Sequence, residues 1–214
     1  MQEILCALAQ EPYEHRGIIH SEMALIIHTC RRLRIEVVVE SGRARGQSTY
    51  LLAKYLPDVA IHSVELRNGA DEDFGGKRVA HLANLVLHSG DGRTLLPQIA
   101  LASVPYRTAI LCDGPKGAAA VAVIEECFEW PHVLVGFIHD MRKLDHGGPS
   151  PHRAAAVERF ANARFSDDPL LVAGSSWLDA NVIAAGGPVG PAHEREFGSY
   201  GPTVGVFMNS GNHQ

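Results

Sequence analysis

The 214 residues predict one α/β domain, a doubly wound, mostly parallel sheet with helices on both faces. Three observations carry that reading. A β-branched run, Ile35 to Val39, ends in Glu40 and passes through the glycine turn Ser41-Gly42-Arg43-Ala44-Arg45-Gly46 straight into a helical pattern. Similar strand-and-helix alternations follow it, which imply a parallel sheet with right-handed crossovers. Five strand candidates each end in or beside an acid, Glu40, Glu65, Asp91, Asp113 and Asp140, at the carboxyl edge where open α/β sheets bind ligands. Acids after strands are common singly; five in register point to a site.

Composition bounds the classes. Hydrophobic residues make up 46% of the chain and charged residues 20%, enough apolar material for a single full core. The formal net charge of -5 supplies no basic footprint for nucleic acid or an anionic membrane. No run of 18 apolar residues and no leader pattern is seen, so a soluble, cytoplasmic protein is expected. Cys6, Cys30, Cys112 and Cys127 form no C-x-x-C pair, and Cys112 lies in an apolar run as a buried thiol would. Twelve histidines show no metal-ligand spacing among themselves.

Residues 1–34 are read as a helical extension broken near Pro12 and Gly17, with Ser21 as the expected cap of its second helix. The core is expected over 35–208. After the first strand comes a helix from Tyr50 to Leu56, then a strand from Ile61 to Glu65 and a glycine-weakened helix over 71–83. A third strand spans Asn84 to His88, followed by a helix over Leu95 to Ala102. Tyr106 to Cys112 form a fourth strand leading to Asp113-Gly-Pro-Lys116, and Ala118 to Trp130 its helix. His132 to Ile138 form a fifth strand before His139-Asp140, and Arg153 to Ala163 a further helix. Leu170 to Ala173 and Thr203 to Met208 are the last strand candidates, separated by an irregular, mobile loop over 184–202. No repeat or linker divides the chain.

The glycine loop excludes two familiar sites. A P-loop needs four residues between its glycines and then Lys; here three separate Gly42 from Gly46, and Gln47 replaces Lys. The dinucleotide fingerprint fails at Ala44. Glu40-x-Gly42-x-Ala44-x-Gly46 instead resembles the first motif of class I S-adenosylmethionine-dependent methyltransferases, with Ala at the middle glycine. That resemblance implies a Rossmann-like seven-stranded sheet whose C-terminal hairpin is antiparallel. It implies Glu40, Gly42, Gly46 and Ser48 as residues of the S-adenosylmethionine site, with Gly42 and Gly46 passing its methionine part, Glu65 holding the ribose hydroxyls and Asp91 beside the adenine. The geometry of one carboxylate suits a vicinal diol.

A narrower likeness follows. Asp113-Gly-Pro-Lys116 resembles the Asp-x-x-Lys of metal-dependent catechol-type O-methyltransferases, and the region is also similar to sugar O-methyltransferases. It implies Asp113, His139 and Asp140 as ligands of Mg or another divalent metal, with Asp113 and Lys116 catalytic and Lys116 as general base. His139-Asp140 departs from the Asp-Asn of those enzymes, and a histidine suits Mn or Fe better than Mg. The expected activity is methyl transfer to an oxygen of a small hydroxylated molecule. Two alternatives stay open. Glu40-x-Gly42-x-x-x-Gly46-x-Ser48 also resembles cephalosporin-hydroxylase-like proteins, in which Asp113, His139 and Asp140 would hold a redox metal. A catalytically degenerate nucleotide-binding protein is the other. Arg43 and Arg45 are read as solvent-facing, and His146, His152 and His193 to Glu196 as polar side chains on the surface. The assembly state, monomer or homodimer, is left open.

Overall fold

The computed structural model describes residues 2–66, 69–145 and 147–212, with the side chains of Glu72 and Asn212 left out; His146 lies outside this set. Among these residues no helix is long and apolar enough to cross a membrane.

The extension forms α1 (Gln2–Ala9) and α2 (His20–Arg32). The first strand, β1 (Val37–Ser41), is buried at every position, as an interior strand of a covered parallel sheet must be. It leads through the glycine loop to α3 (Gln47–Tyr55), then β2 (Ala60–Glu65), α4 (Ala70–Val79), β3 (Leu85–Ser89), α5 (Gly92–Ala102) and β4 (Thr108–Cys112). Next come α6 (Ala118–Cys127), β5 (Val133–Ile138), a small hairpin of β6 (Leu144–Asp145) and β7 (Gly148–Pro149), and α7 (Pro151–Arg159). The chain closes with β8 (Arg164–Phe165), α8 (Pro169–Ser175), α9 (Ala180–Ala184), α10 (Pro191–Phe197) and β9 (Gly205–Met208).

The main sheet has seven strands in the order β3-β2-β1-β4-β5-β9-β8. β1 to β5 run parallel, and β9 is antiparallel to both β5 and β8. The expected architecture is therefore present, including its antiparallel end. Side-chain alternation divides two cores. Val38, Leu111, Val135 and Phe137 pack against Met23 and Ile27 of α2 and Leu51 and Leu52 of α3. Val37, Val39, Ile110 and Ile138 pack against Leu96 of α5, Ile124 of α6 and Ala156 of α7. The chain order reverses between β1 and β4, so the switch point lies between these neighbours. Register then aligns the strand ends there: Ser41 pairs with Val64 on one side and Cys112 on the other. Asp113 N–H donates to the Ser41 carbonyl and His139 N–H to that of Cys112, so the ligand edge is held by the ladder itself.

Three local expectations are corrected. Leu170 to Ala173 are not a strand but lie inside α8: Asp168 accepts from the Leu170 N–H, and Pro169 occupies the first helical position. The outer strand is the two-residue β8 instead. The stretch 184–202 is not structureless, since Pro191 opens α10 and Gly198, with φ +67°, closes it. Ser21 does not cap α2; Ile19 holds the cap position, and the Ser21 N–H is bonded at 2.9 Å by the Asp179 carboxylate from a distant turn.

That carboxylate has its own consequence. Asp179 is fully buried, and its Oδ2 has no hydrogen-bond partner. Burial pushes its pKa up to about 6, the Ser21 contacts oppose the rise, and Glu22 adds to it. The folded pKa exceeds the unfolded one, so the native state binds the proton more tightly, and ionised Asp179 opposes folding increasingly as pH rises from about 4 to 6. Asp179→Asn keeps an acceptor for Ser21 and removes that penalty, worth roughly 2 kcal/mol. We expect its melting temperature at pH 8 to exceed the wild type's by roughly 5 °C, with the difference vanishing near pH 4; thermal denaturation at both pH values checks it.

Candidate functional site

The glycine loop turns on backbone positions that side chains resist. Gly42 has φ +88°, and a Cβ there would stand 2.8 Å from the Asp113 carbonyl carbon and the Gly114 nitrogen. Glycine at this position thus lets the loop after β1 pass against the loop after β4. Ala44, which replaces the motif's middle glycine, adopts φ +42°, so the backbone keeps the left-handed shape with an unfavourable residue in it. Its N–H donates to Glu65 Oε2 at 2.5 Å, which holds the strain in place. Ala44→Gly should relieve it, for a net gain of roughly 0.5–1 kcal/mol after glycine's extra unfolded-state entropy. Chemical denaturation should show a higher midpoint at unchanged slope.

Beside this loop, at the carboxyl ends of β1 and β2, lies a cleft of about 290 Å³ lined by Gly42, Glu65, Asp91, Gly92, Gly114 and Pro115 among others. Asp91 caps α5 by accepting from the Arg93 N–H at 2.9 Å, and the Arg93 guanidinium clasps its carboxylate in the same turn. The hydrogen bonds from Arg93 hold the Asp91 carboxyl below the usual carboxylate range. An ionised acid at the N-terminus of α5 therefore forms one wall, and Glu65 another.

Glu40 and Ser48, expected near the same ligand, are turned to each other. Alternation puts Glu40 on the α3 face of β1, fully buried, where it accepts from the hydroxyls of Ser48, Thr49 and Ser63, the last at 2.9 Å. Gly46, with φ +80°, opens α3 and abuts Gly75 of α4. Of the two loop arginines expected to face solvent, Arg43 is buried, whereas the Arg45 side chain stays 40% exposed. Arg43 is 3% exposed and donates to the Ser63 carbonyl at 2.8 Å. Arg45 pairs with Glu14 at 2.8 Å and lies over the Phe74 ring. Gln47, the residue in the P-loop lysine's place, accepts from the Glu14 N–H and donates to the Ile18 carbonyl, fastening the segment before α2 over the loop.

Across the Gly114-Pro115 wall, the four residues of the second expectation converge. Ligand atoms of Asp113, His139 and Asp140 lie within 4.8 Å of one another. Each is already engaged. The Lys116 ammonium bonds both Asp113 Oδ1 and, at 2.6 Å, Asp140 Oδ2. His139 Nδ1 faces Asp113 Oδ1 at 2.8 Å, while its Nε2 faces Glu22 Oε2 at 3.2 Å. Burial works against both cations, but the Asp113 and Asp140 charges raise the Lys116 pKa, and Asp113 and Glu22 raise that of His139 well above its usual value. Burial would raise the Asp113 pKa; His139 and Lys116 reverse that and lower it. As arranged, this donor set does not fit a divalent cation, which needs open lone pairs on nitrogen and oxygen with no ammonium between them. Lys116 carries a proton, so it donates rather than accepts.

Glu22 escaped sequence reasoning altogether. It stands in the first turn of α2 beside Met23, and an acid on an apolar helical stripe was the available signal. His152, read as surface, packs its ring against Gly117 at the start of α6, and His193 is buried against the Ser199 carbonyl.

Among solved structures the chain is similar to the O-methyltransferase TomG from Streptomyces achromogenes, described in complex with SAM and as involved in tomaymycin synthesis. That match has 15% identity and a TM-score of 0.63, covering 97% of this chain and 90% of that one. An O-methyltransferase from Bacillus cereus in complex with SAH matches at 14% identity and a TM-score of 0.62, covering 97% and 89%. No family model and no curated protein matches. The likeness spans nearly the whole chain and establishes its fold, that of the class I methyltransferases.

Proposed function

We propose that the protein binds S-adenosylmethionine and transfers its methyl group to an oxygen of a small hydroxylated molecule. The observation that carries the proposal is the cleft at the switch point. It joins Gly42, Glu65 and Asp91, expected from sequence to meet the cofactor, in one space beside the Asp113–Lys116 loop. Solved neighbours of this fold bound to SAM or SAH support the reading.

In this reading Glu65 accepts from the ribose hydroxyls and Asp91 borders the adenine, while the close packing of Gly42 on Asp113 leaves backbone rather than side chain beside the methionine end. The cofactor when bound supplies an electrophilic methyl on sulfur. Lys116, half-exposed, holds the acceptor oxygen as a hydrogen-bond donor. The acceptor's proton passes to a carboxylate of the cluster, of which Asp140 is the more open, its side chain 46% exposed against 16% for Asp113. Lys116 and Asp113 thus remain the acceptor-side residues, with the lysine as donor rather than base. The hydroxylase reading needs Asp113, His139 and Asp140 free for a redox metal, and their mutual engagement weighs against it.

Calorimetric titration with S-adenosylhomocysteine tests the proposal. Micromolar, one-to-one binding is expected, and no detectable binding overturns it.

A further inference from the structure

The acceptor-side cluster is a chain of alternating charges: Glu22, His139, Asp113, Lys116, Asp140. It begins in the N-terminal helix and ends at the open edge of the sheet. Glu22 is 1% exposed and fixed on its other oxygen, Oε1, which accepts from the Thr203 N–H at 2.6 Å and from the Ser166 hydroxyl at 3.2 Å. Its free choice of position is gone, and Oε2 is left against His139 Nε2. A neutral imidazole has one N–H, yet His139 has a carboxylate oxygen at each ring nitrogen. With both carboxylates ionised, only an N–H on each nitrogen makes the two contacts hydrogen bonds. Such a ring has no lone pair to offer a metal. At the other end Lys116 Nζ lies between Asp113 and Asp140, on one oxygen of each of the two carboxylates a divalent cation would need.

We infer that this is a cation-free site: the Lys116 ammonium takes the place of a divalent metal between Asp113 and Asp140, and Glu22, brought in by α2, is the positioning residue that keeps His139 from acting as a ligand. If the methyl-transfer reading holds, on which this consequence alone rests, the acceptor need not be a vicinal diol. A divalent cation chelates two neighbouring oxygens, whereas an ammonium donates single hydrogen bonds and accommodates an isolated hydroxyl.

The test is a titration with Mn²⁺ alone, followed by the electron paramagnetic resonance signal of the free ion. Wild-type protein is expected to show no Mn²⁺ site tighter than millimolar. Lys116→Met, with Lys116→Gln as a second variant should the first fold poorly, is expected to gain at least tenfold in Mn²⁺ affinity by releasing both carboxylates. Adding Glu22→Gln should gain several-fold more: with the amide oxygen kept on the Thr203 N–H, its NH2 donates to His139 Nε2, so the ring needs one N–H only and loses its positive charge beside the ion. A merely structural glutamate would produce no gain. Micromolar Mn²⁺ binding by the wild type, lost in Asp140→Asn, overturns the inference. Folded Lys116 variants that gain nothing overturn it equally, and a double variant that adds nothing removes the role given to Glu22. S-adenosylhomocysteine titration of the same samples reads the cofactor proposal separately, since Mn²⁺ exclusion does not depend on it.

Discussion

Glu65→Ala is expected to weaken S-adenosylhomocysteine binding by at least tenfold and up to a hundredfold, a loss of about 1.4–2.8 kcal/mol. Two effects combine in that number. The first is removal of the acceptor for two ribose hydroxyls, where a hydrogen bond to a charged group contributes roughly 1.5–3 kcal/mol. The second is release of the glycine loop, because the Ala44 N–H donates to Glu65 Oε2 and Ala44 holds a left-handed conformation it would leave if freed. Glu65→Gln separates them. Its amide oxygen can still accept from Ala44, so a variant that recovers thermal stability but not affinity assigns the loss to the ribose contact. Calorimetry on both variants, with melting temperatures alongside, is the measurement. Unchanged affinity in Glu65→Ala would remove the ribose assignment.

Glu40→Ala is expected to lower stability by roughly 3–5 kcal/mol, through unpaired hydroxyls and the void left by the side chain. At this chain length that corresponds to a fall of roughly 10 °C or more in melting temperature. The reason is the company Glu40 keeps. It is fully buried between β1 and α3, and burial pushes its pKa up while the hydroxyls of Ser48, Thr49 and Ser63 pull it back. Those three hydroxyls converge on one side chain from two elements, so its removal strands donors in a dry interior. Thermal melts of Glu40→Ala and the shape-preserving Glu40→Gln decide the point. If Glu40 met a ligand instead, the alanine variant would keep its stability and lose affinity.

These two glutamates mark how far local sequence reaches. Both stand at the end of a strand candidate, and nothing in either stretch tells a residue that faces a cleft from one that faces a helix. The difference comes from what lies opposite. Glu40 meets Ser48 and Thr49 on the first turn of α3, while Glu65 reaches the turn before that helix. The same blindness explains α8. Leu170 to Ala173 have an apolar run of strand length, but Leu170 is 85% exposed and Asp168-Pro169 starts a helix, so the cap outweighed the apolar pattern. The outer partner of β9 is instead Arg164–Phe165, two residues with no pattern to find.

The alternation of apolar runs and helical stripes, with glycines at the turn after β1, determined the order of elements and the parallel sheet, because those signals are local and repeat many times along the chain. That the strand-terminal acids share one edge followed from the same topology. Only the tertiary structure decided which of them are free for a ligand. Glu22 and His139 are 117 positions apart. The contact between them, and the ammonium of Lys116 between two carboxylates, exist because strand register and the docking of α2 bring their elements together. No window of neighbouring residues contains that information, and it is these long-range contacts that set the charge of the cluster.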